Sequence, residues 1–274
     1  MSTKSLKGIR HLALDMDGTL YLGGRLFPWT QRFLQTLRDC GIGYTFLTNN
    51  PTRSVADYRA KLEGMGIEAS EDNILTTSLA AIDWIKSNLP SARRLFMLGT
   101  PSMVSQFEKA GFEAAADDPA DRPDALVVSF DMTLTYDRLC RAAWWASQGL
   151  PYIATNPDRV CPTEKETVLV DCGSIQKCIE TATGRRPDIV LGKPDPTMLS
   201  WIMQRHGLKP DEIAMVGDRL YTDTAMARNA GATGVLVLSG ETTPDMVEAS
   251  GPDRPDFVFS DVGELGDAIL AARK

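Results

Sequence analysis

Two aspartates stand one residue apart where an apolar run stops, in His11-Leu12-Ala13-Leu14-Asp15-Met16-Asp17-Gly18-Thr19. Side chains alternate along a strand, so Asp15 and Asp17 share a face only while the chain stays extended, and Gly18 signals an immediate turn. Three more polar sets follow apolar runs: Thr48-Asn49, Lys193, and Asp218 with Asp223. Together they supply a carboxylate nucleophile, a second acid, hydroxyl and amide donors, a cation and further carboxylates. That inventory suits phosphoryl transfer, where the main task is to hold and neutralise charge on three equatorial oxygens. An oxygen-only carboxylate site without His or Cys selects a hard cation such as Mg2+. Attack by Asp15 on phosphorus would give an aspartyl phosphate. Asp17 could protonate the leaving alcohol and later deprotonate the incoming water. Carboxylate and phosphate repel each other, so the metal and Lys193 are required.

For these groups to meet, the strands that carry them must lie parallel with their carboxyl ends on one edge of a sheet. The chain alternates accordingly. Pro28 to Arg38 has apolar positions at helical spacing, Gly43 to Asn50 reads as a short buried strand, and Ser54 to Met65 as a helix. Asn73 to Thr77 reads as extended, and Ser78 to Asn88 as a helix capped by Ser78. A new series begins at Leu95, with strands at Ala125 to Phe130 and Pro151 to Asn156 around a helix near Tyr136 to Gly149. Ile189 to Gly192 and Ile213 to Gly217 are expected to return to the first sheet, flanking a helix from Thr197 to His206. The expected fold is α/β: a doubly wound parallel-sheet core from residues 1–80 and 188–274, with residues 81–187 inserted as a smaller α/β domain.

A net charge of −7 argues against a protein built to grip nucleic-acid backbone. No run of about eighteen apolar residues exists to span a bilayer, and Met1 to Lys7 lacks the apolar segment of a secretion signal. A cytoplasmic enzyme is expected. The five cysteines form no C-x-x-C pair and read as free thiols. His11 and His206 open a strand and end a helix, which points to structural roles and away from Ser-His-Asp hydrolysis or a His-rich zinc site. Trp144-Trp145 reads as helix packing rather than a stacking platform.

Asp15-Met16-Asp17-Gly18-Thr19, Thr48-Asn49, Gly192-Lys193-Pro194 and Gly217-Asp218-Arg219-Leu220-Tyr221-Thr222-Asp223 resemble, in order, the four motifs of the haloacid dehalogenase superfamily of phosphohydrolases. The insert between the second and third motifs is similar to the type IIA or NagD-like subgroup, which includes p-nitrophenylphosphatase-like, phosphoglycolate and pyridoxal phosphatases. The resemblance implies a core with a type C2 cap and a Mg2+-dependent phosphatase acting on a small phosphate monoester. It implies Asp15 as nucleophile and metal ligand, and Asp17 as acid/base whose backbone carbonyl also binds the ion. Asp218 becomes a metal ligand and Asp223 its support, while Thr48 and Asn49 hold phosphoryl oxygens and Lys193 neutralises Asp15 and the phosphate. Thr155-Asn156-Pro157-Asp158 resembles the cap loop, which makes Asn156 and Asp158 candidates for leaving-group recognition. Where the subgroup shows a Gly-rich run this chain has Val170-Asp171-Cys172-Gly173-Ser174, and an acid facing the site at Asp171 would disfavour an anionic leaving group. A homodimer formed through the cap is compatible with the resemblance, though no residue compels it. Two rivals stay open: a phosphotransferase or phosphomutase, and a phosphate-sensing regulator without turnover.

Overall fold

A computed structural model describes residues 4–161 and 166–274, so the first three residues of the N-terminal stretch lie outside it. Two compact units emerge: Met1–Leu47, Arg59–Leu75 and Lys193–Lys274 form the first, and Thr48–Tyr58 with Thr76–Gly192 the second. The main strands are, in chain order, β1 (His11–Asp15), β2 (Gly43–Thr48), β3 (Ile74–Thr76), β4 (Arg94–Leu98), β5 (Glu113–Ala114), β6 (Ala125–Val128), β7 (Tyr152–Ala154), β8 (Ile189–Val190), β9 (Ile213–Gly217), β10 (Thr233–Val237) and β11 (Phe257–Phe259).

One sheet has the order β11-β10-β9-β1-β2-β3. From β1 the chain winds one way through β2 and β3, then returns to β9 on the other side of β1 and winds outward. The reversal therefore falls between β1 and β9, which run parallel with Leu14 opposite Val216. Crevices for ligands open at the carboxyl ends of strands at such a reversal. Asp15 and Asp218 stand there. Every residue of β1 and β9 is buried, as expected of a parallel sheet covered on both faces.

The second unit has its own parallel sheet, of order β8-β7-β6-β4-β5. Alternation of side chains divides its core in two. Leu95, Met97, Val127 and Ile153 pack on one face with Ile82, Ile85 and Phe107, while Phe96, Leu98, Leu126, Val128 and Tyr152 pack on the other with Trp145, Ile175 and Ile179. Trp145 is thus packed as expected, whereas Trp144 is 46% exposed.

Two expectations change. β8 pairs with β7, Ile189 opposite Ile153, so it belongs to the second sheet and not the first. Its two residues are too few to carry a signal of which sheet they join. The helix Thr77–Asn88 is capped by Thr76, whose hydroxyl accepts from the Leu79 amide, and Ser78 lies inside it. Among the described residues no helix is long and apolar enough to cross a membrane.

Candidate active site

In the first unit, β1 delivers Asp15 and then turns at once. The Met16 carbonyl accepts from the amides of Thr19, Leu20 and Tyr21. Gly18 takes a left-handed φ of +86°, which an L side chain rarely adopts. The turn leaves Asp15 buried and Asp17 exposed. The Thr19 hydroxyl donates to Asp15 Oδ2 at 3.3 Å, and Lys193 Nζ bonds Oδ1.

Lys193 is buried, and its Nζ also lies 2.7 Å from Asp223 Oδ1. The two carboxylates outweigh the cost of burial and raise its pKa, so it stays charged. Asp223 also accepts from the Arg219 amide at 3.0 Å. Asp218 Oδ2 accepts the Glu241 amide at 2.7 Å, and its backbone carbonyl accepts from Thr242. Glu241 in turn holds the Arg219 guanidinium at 2.9 Å. Side-chain oxygens of Asp15, Asp218 and Asp223 lie within 4.8 Å of one another.

Three carboxylates against one ammonium leave an excess equal to the charge of one divalent cation. The strain shows on Asp218: burial first, and then the like charges of Asp15 and Asp223, push its pKa up to about 7. Its Oδ1 is buried and has no hydrogen-bond partner among the described residues. An unpartnered carboxylate oxygen in that position costs stability unless a cation takes it. All donors are oxygen, and the site therefore fits Mg2+. Although Asp17 stays solvent-accessible, partial desolvation of its carboxyl raises its pKa against the pull of Lys61, which suits a carboxyl that must hold a proton.

In the second unit, Thr48, Asn49, Asn156 and Asp158 come together. Asn49 Nδ2 donates to Asp158 Oδ2 at 3.1 Å, and Asn156 Nδ2 donates to the Asn49 carbonyl at 3.0 Å. Asn156 is fully enclosed, with no surface to offer a leaving group. Asp171 and Cys172 are buried too; Asp171 caps the helix Cys172–Thr183 through the Cys172 amide and faces no solvent. Sequence reasoning missed Asp171 as a cap. An aspartate just before a helical run was the available signal. Also missed were Thr19, Arg219 and Glu241, which hold the site from its edges.

His11 is buried in the first unit, its Nε2 is 2.9 Å from Thr45 Oγ1, and its ring lies 4.5 Å from that of His206.

Comparison with known proteins matches residues 12–113 to a haloacid dehalogenase-like hydrolase family model and residues 190–265 to a HAD-hydrolase-like one. An acid sugar phosphatase of Staphylococcus aureus is 30% identical over 94% of this chain and 97% of its own length. The chain belongs to the haloacid dehalogenase-like hydrolases. Within that family, the structure of a 4-nitrophenylphosphatase from Thermotoga maritima is similar to this hydrolase with a TM-score of 0.91 and 40% identity, covering 96% of this chain and 98% of the other. A glycerol phosphate phosphatase from Mycobacterium tuberculosis, solved in complex with magnesium, is similar with a TM-score of 0.86 and 28% identity, covering 98% of this hydrolase and 78% of that chain.

Proposed function

We infer that this chain is a magnesium-dependent phosphatase that hydrolyses small phosphate monoesters through an aspartyl phosphate on Asp15. The observation that carries the reading is the buried cluster at the sheet reversal, where Asp15 shares the Lys193 ammonium with Asp223 and stands beside Asp218. Relatives that are phosphatases of sugar, aryl and glycerol phosphates support it.

The carboxylates of Asp15 and Asp218 and the Asp17 carbonyl would hold Mg2+, which would supply positive charge against the phosphoryl oxygens. Thr19 and Lys193 fix the Asp15 carboxylate, which limits the rotamers from which it can attack. As the Asp15 oxygen bonds to phosphorus, the bond to the leaving oxygen breaks and Asp17 gives that oxygen its proton. Water then attacks phosphorus, Asp17 takes the proton back, and the break of the phosphorus–Asp15 bond frees phosphate. Asp223 acts through Lys193 and supports the ligand set without touching substrate.

Thr48 and Asn49 are assigned to the phosphoryl oxygens. Support comes from register, since Asp15 pairs with Leu47 and Thr48 is the next residue of β2. Residues 1–80 and 188–274 are read as the catalytic core and residues 81–187 as the cap, with leaving-group contacts from the cap. Sugar phosphates, nucleoside monophosphates, phosphoglycolate and p-nitrophenyl phosphate form the substrate class. No disulfide joins any of the cysteines among the described residues, which fits work in the cytoplasm.

Phosphate release from a panel of phosphorylated metabolites, with Mg2+ and with chelator, tests the reading. Release is expected to need the metal and to vanish in Asp15→Asn; hydrolysis that survives that substitution removes the mechanism.

A further inference from the structure

We propose that Asn156 is a positioning residue for the Thr48 hydroxyl, acting through the peptide between Asn49 and Asn50. The proposal rests on the reading above, in which that hydroxyl holds a phosphoryl oxygen. Every residue in the relay belongs to the second unit.

Asn156 Nδ2 donates to two acceptors, the Asn49 carbonyl at 3.0 Å and Asp171 Oδ1 at 3.2 Å. Its Oδ1 is buried with no hydrogen-bond partner among the described residues. That asymmetry fixes the amide: the flipped form would set Oδ1 against two acceptors and remove both bonds. Asp171 is itself held by the Cys172 amide, and the Asn156 carbonyl accepts from Gln176 Nε2 at 2.7 Å. The donor is thus fastened to the first turns of a helix.

The acceptor is held as firmly. The Thr77 hydroxyl donates to the same Asn49 carbonyl at 3.1 Å. Gly192, with a φ of +80°, leaves no room beside Asn49, since a Cβ there would overlap Asn49 Oδ1 and the Thr77 methyl. A peptide is planar, so fixing the Asn49 carbonyl fixes the direction of the Asn50 N–H on its other side. That N–H donates to Thr48 Oγ1 at 3.1 Å. The far side of Asn50 is tied down by Tyr58, whose hydroxyl donates to the Asn50 carbonyl at 3.0 Å.

The consequence lies in the hydroxyl's own hydrogen. With one lone pair of Oγ1 occupied by the Asn50 N–H, the Thr48 O–H is left to donate elsewhere, and a phosphoryl oxygen is the acceptor it is set to meet. Without Asn156, the peptide loses one of its two carbonyl donors and its plane can rotate. Asn156 therefore touches no substrate and still sets a substrate contact.

A double-mutant cycle between Asn156→Ala and Thr48→Val, read as kcat and KM on p-nitrophenyl phosphate with Mg2+, tests the relay. Asn156→Ala alone is expected to lower kcat/KM about tenfold, the scale of one lost hydrogen bond. In the Thr48→Val background the same substitution should change it by less than about twofold, because the group it positions is gone. Equal losses in both backgrounds would overturn the relay while leaving the phosphatase reading intact. An unchanged kcat/KM in Thr48→Val would overturn both the relay and the phosphate-holding role of Thr48. If thermal melts show Asn156→Ala unfolded, Thr77→Val removes the other donor to the same carbonyl and enters the cycle in its place, with the same two outcomes.

Discussion

Lys193 Nζ lies 2.7 Å from Oδ1 of Asp223, and both side chains are buried. The pair is more than a neutralised charge, because Lys193 also bonds Asp15 and so ties the proposed nucleophile to the floor of the site. Removing one partner of a buried pair leaves the other charged and unpaired, at a cost of about 3–5 kcal/mol. Lys193→Met is expected to abolish turnover and to destabilise the metal-free protein by about that amount at pH 8 in urea melts. The loss should shrink at pH 5, where the stranded carboxylates can take protons; a loss independent of pH would contradict the charge account.

Magnesium should bind more weakly in acid. The Asp218 carboxyl, pushed up to about 7 by burial and its acidic neighbours, must give up its proton to ligate. Titration calorimetry should find affinity falling about tenfold from pH 7.5 to pH 6, with proton release seen as a dependence of heat on buffer. Constant affinity over that range would exclude Asp218 as a ligand.

Gly240→Ala should impair metal binding before it impairs the fold. A Cβ at that position would overlap the Asp218 carboxylate. The rise in melting temperature on adding Mg2+, several degrees in the native chain, should largely vanish in the variant. An undiminished shift would show that Asp218 can move without loss.

Stability should also decline in acid through His11. Burial first, and then His206, lower its pKa from 6.5 to about 4. The unfolded chain therefore binds a proton that the folded chain refuses, so stability is intact above about pH 6.5 and falls as pH drops towards 4. Between pH 7 and pH 5 the cost is about 2 kcal/mol. His11→Gln, which keeps a hydrogen-bonding group near Thr45, should flatten that part of the pH–stability curve in denaturant melts.

The acidic cluster was legible because each member ends an apolar run or follows a short turn. A strand's length and burial are local properties, written in runs such as Leu12-Ala13-Leu14 and Ala214-Met215-Val216. The same logic misplaced β8. A pair of apolar residues says that a strand is buried, and says nothing about which neighbour it bonds, because pairing joins Ile189 to Ile153 through backbone groups that every residue carries. Asn156 stood out in the sequence as a candidate position, though nothing there marked it as an enclosed one. Its surroundings come from Asn49, Asp171 and Gln176, which the chain brings together only on folding.

The sequence by itself determined the reagents, their order and the parallel α/β frame, since periodicity and turn residues act over a few neighbours. Tertiary structure alone decided which carboxylates share a cation, which amide is walled in, and which sheet each short strand completes. Burial and electrostatic coupling depend on distances between residues far apart in the chain, and those distances exist only once the chain has folded.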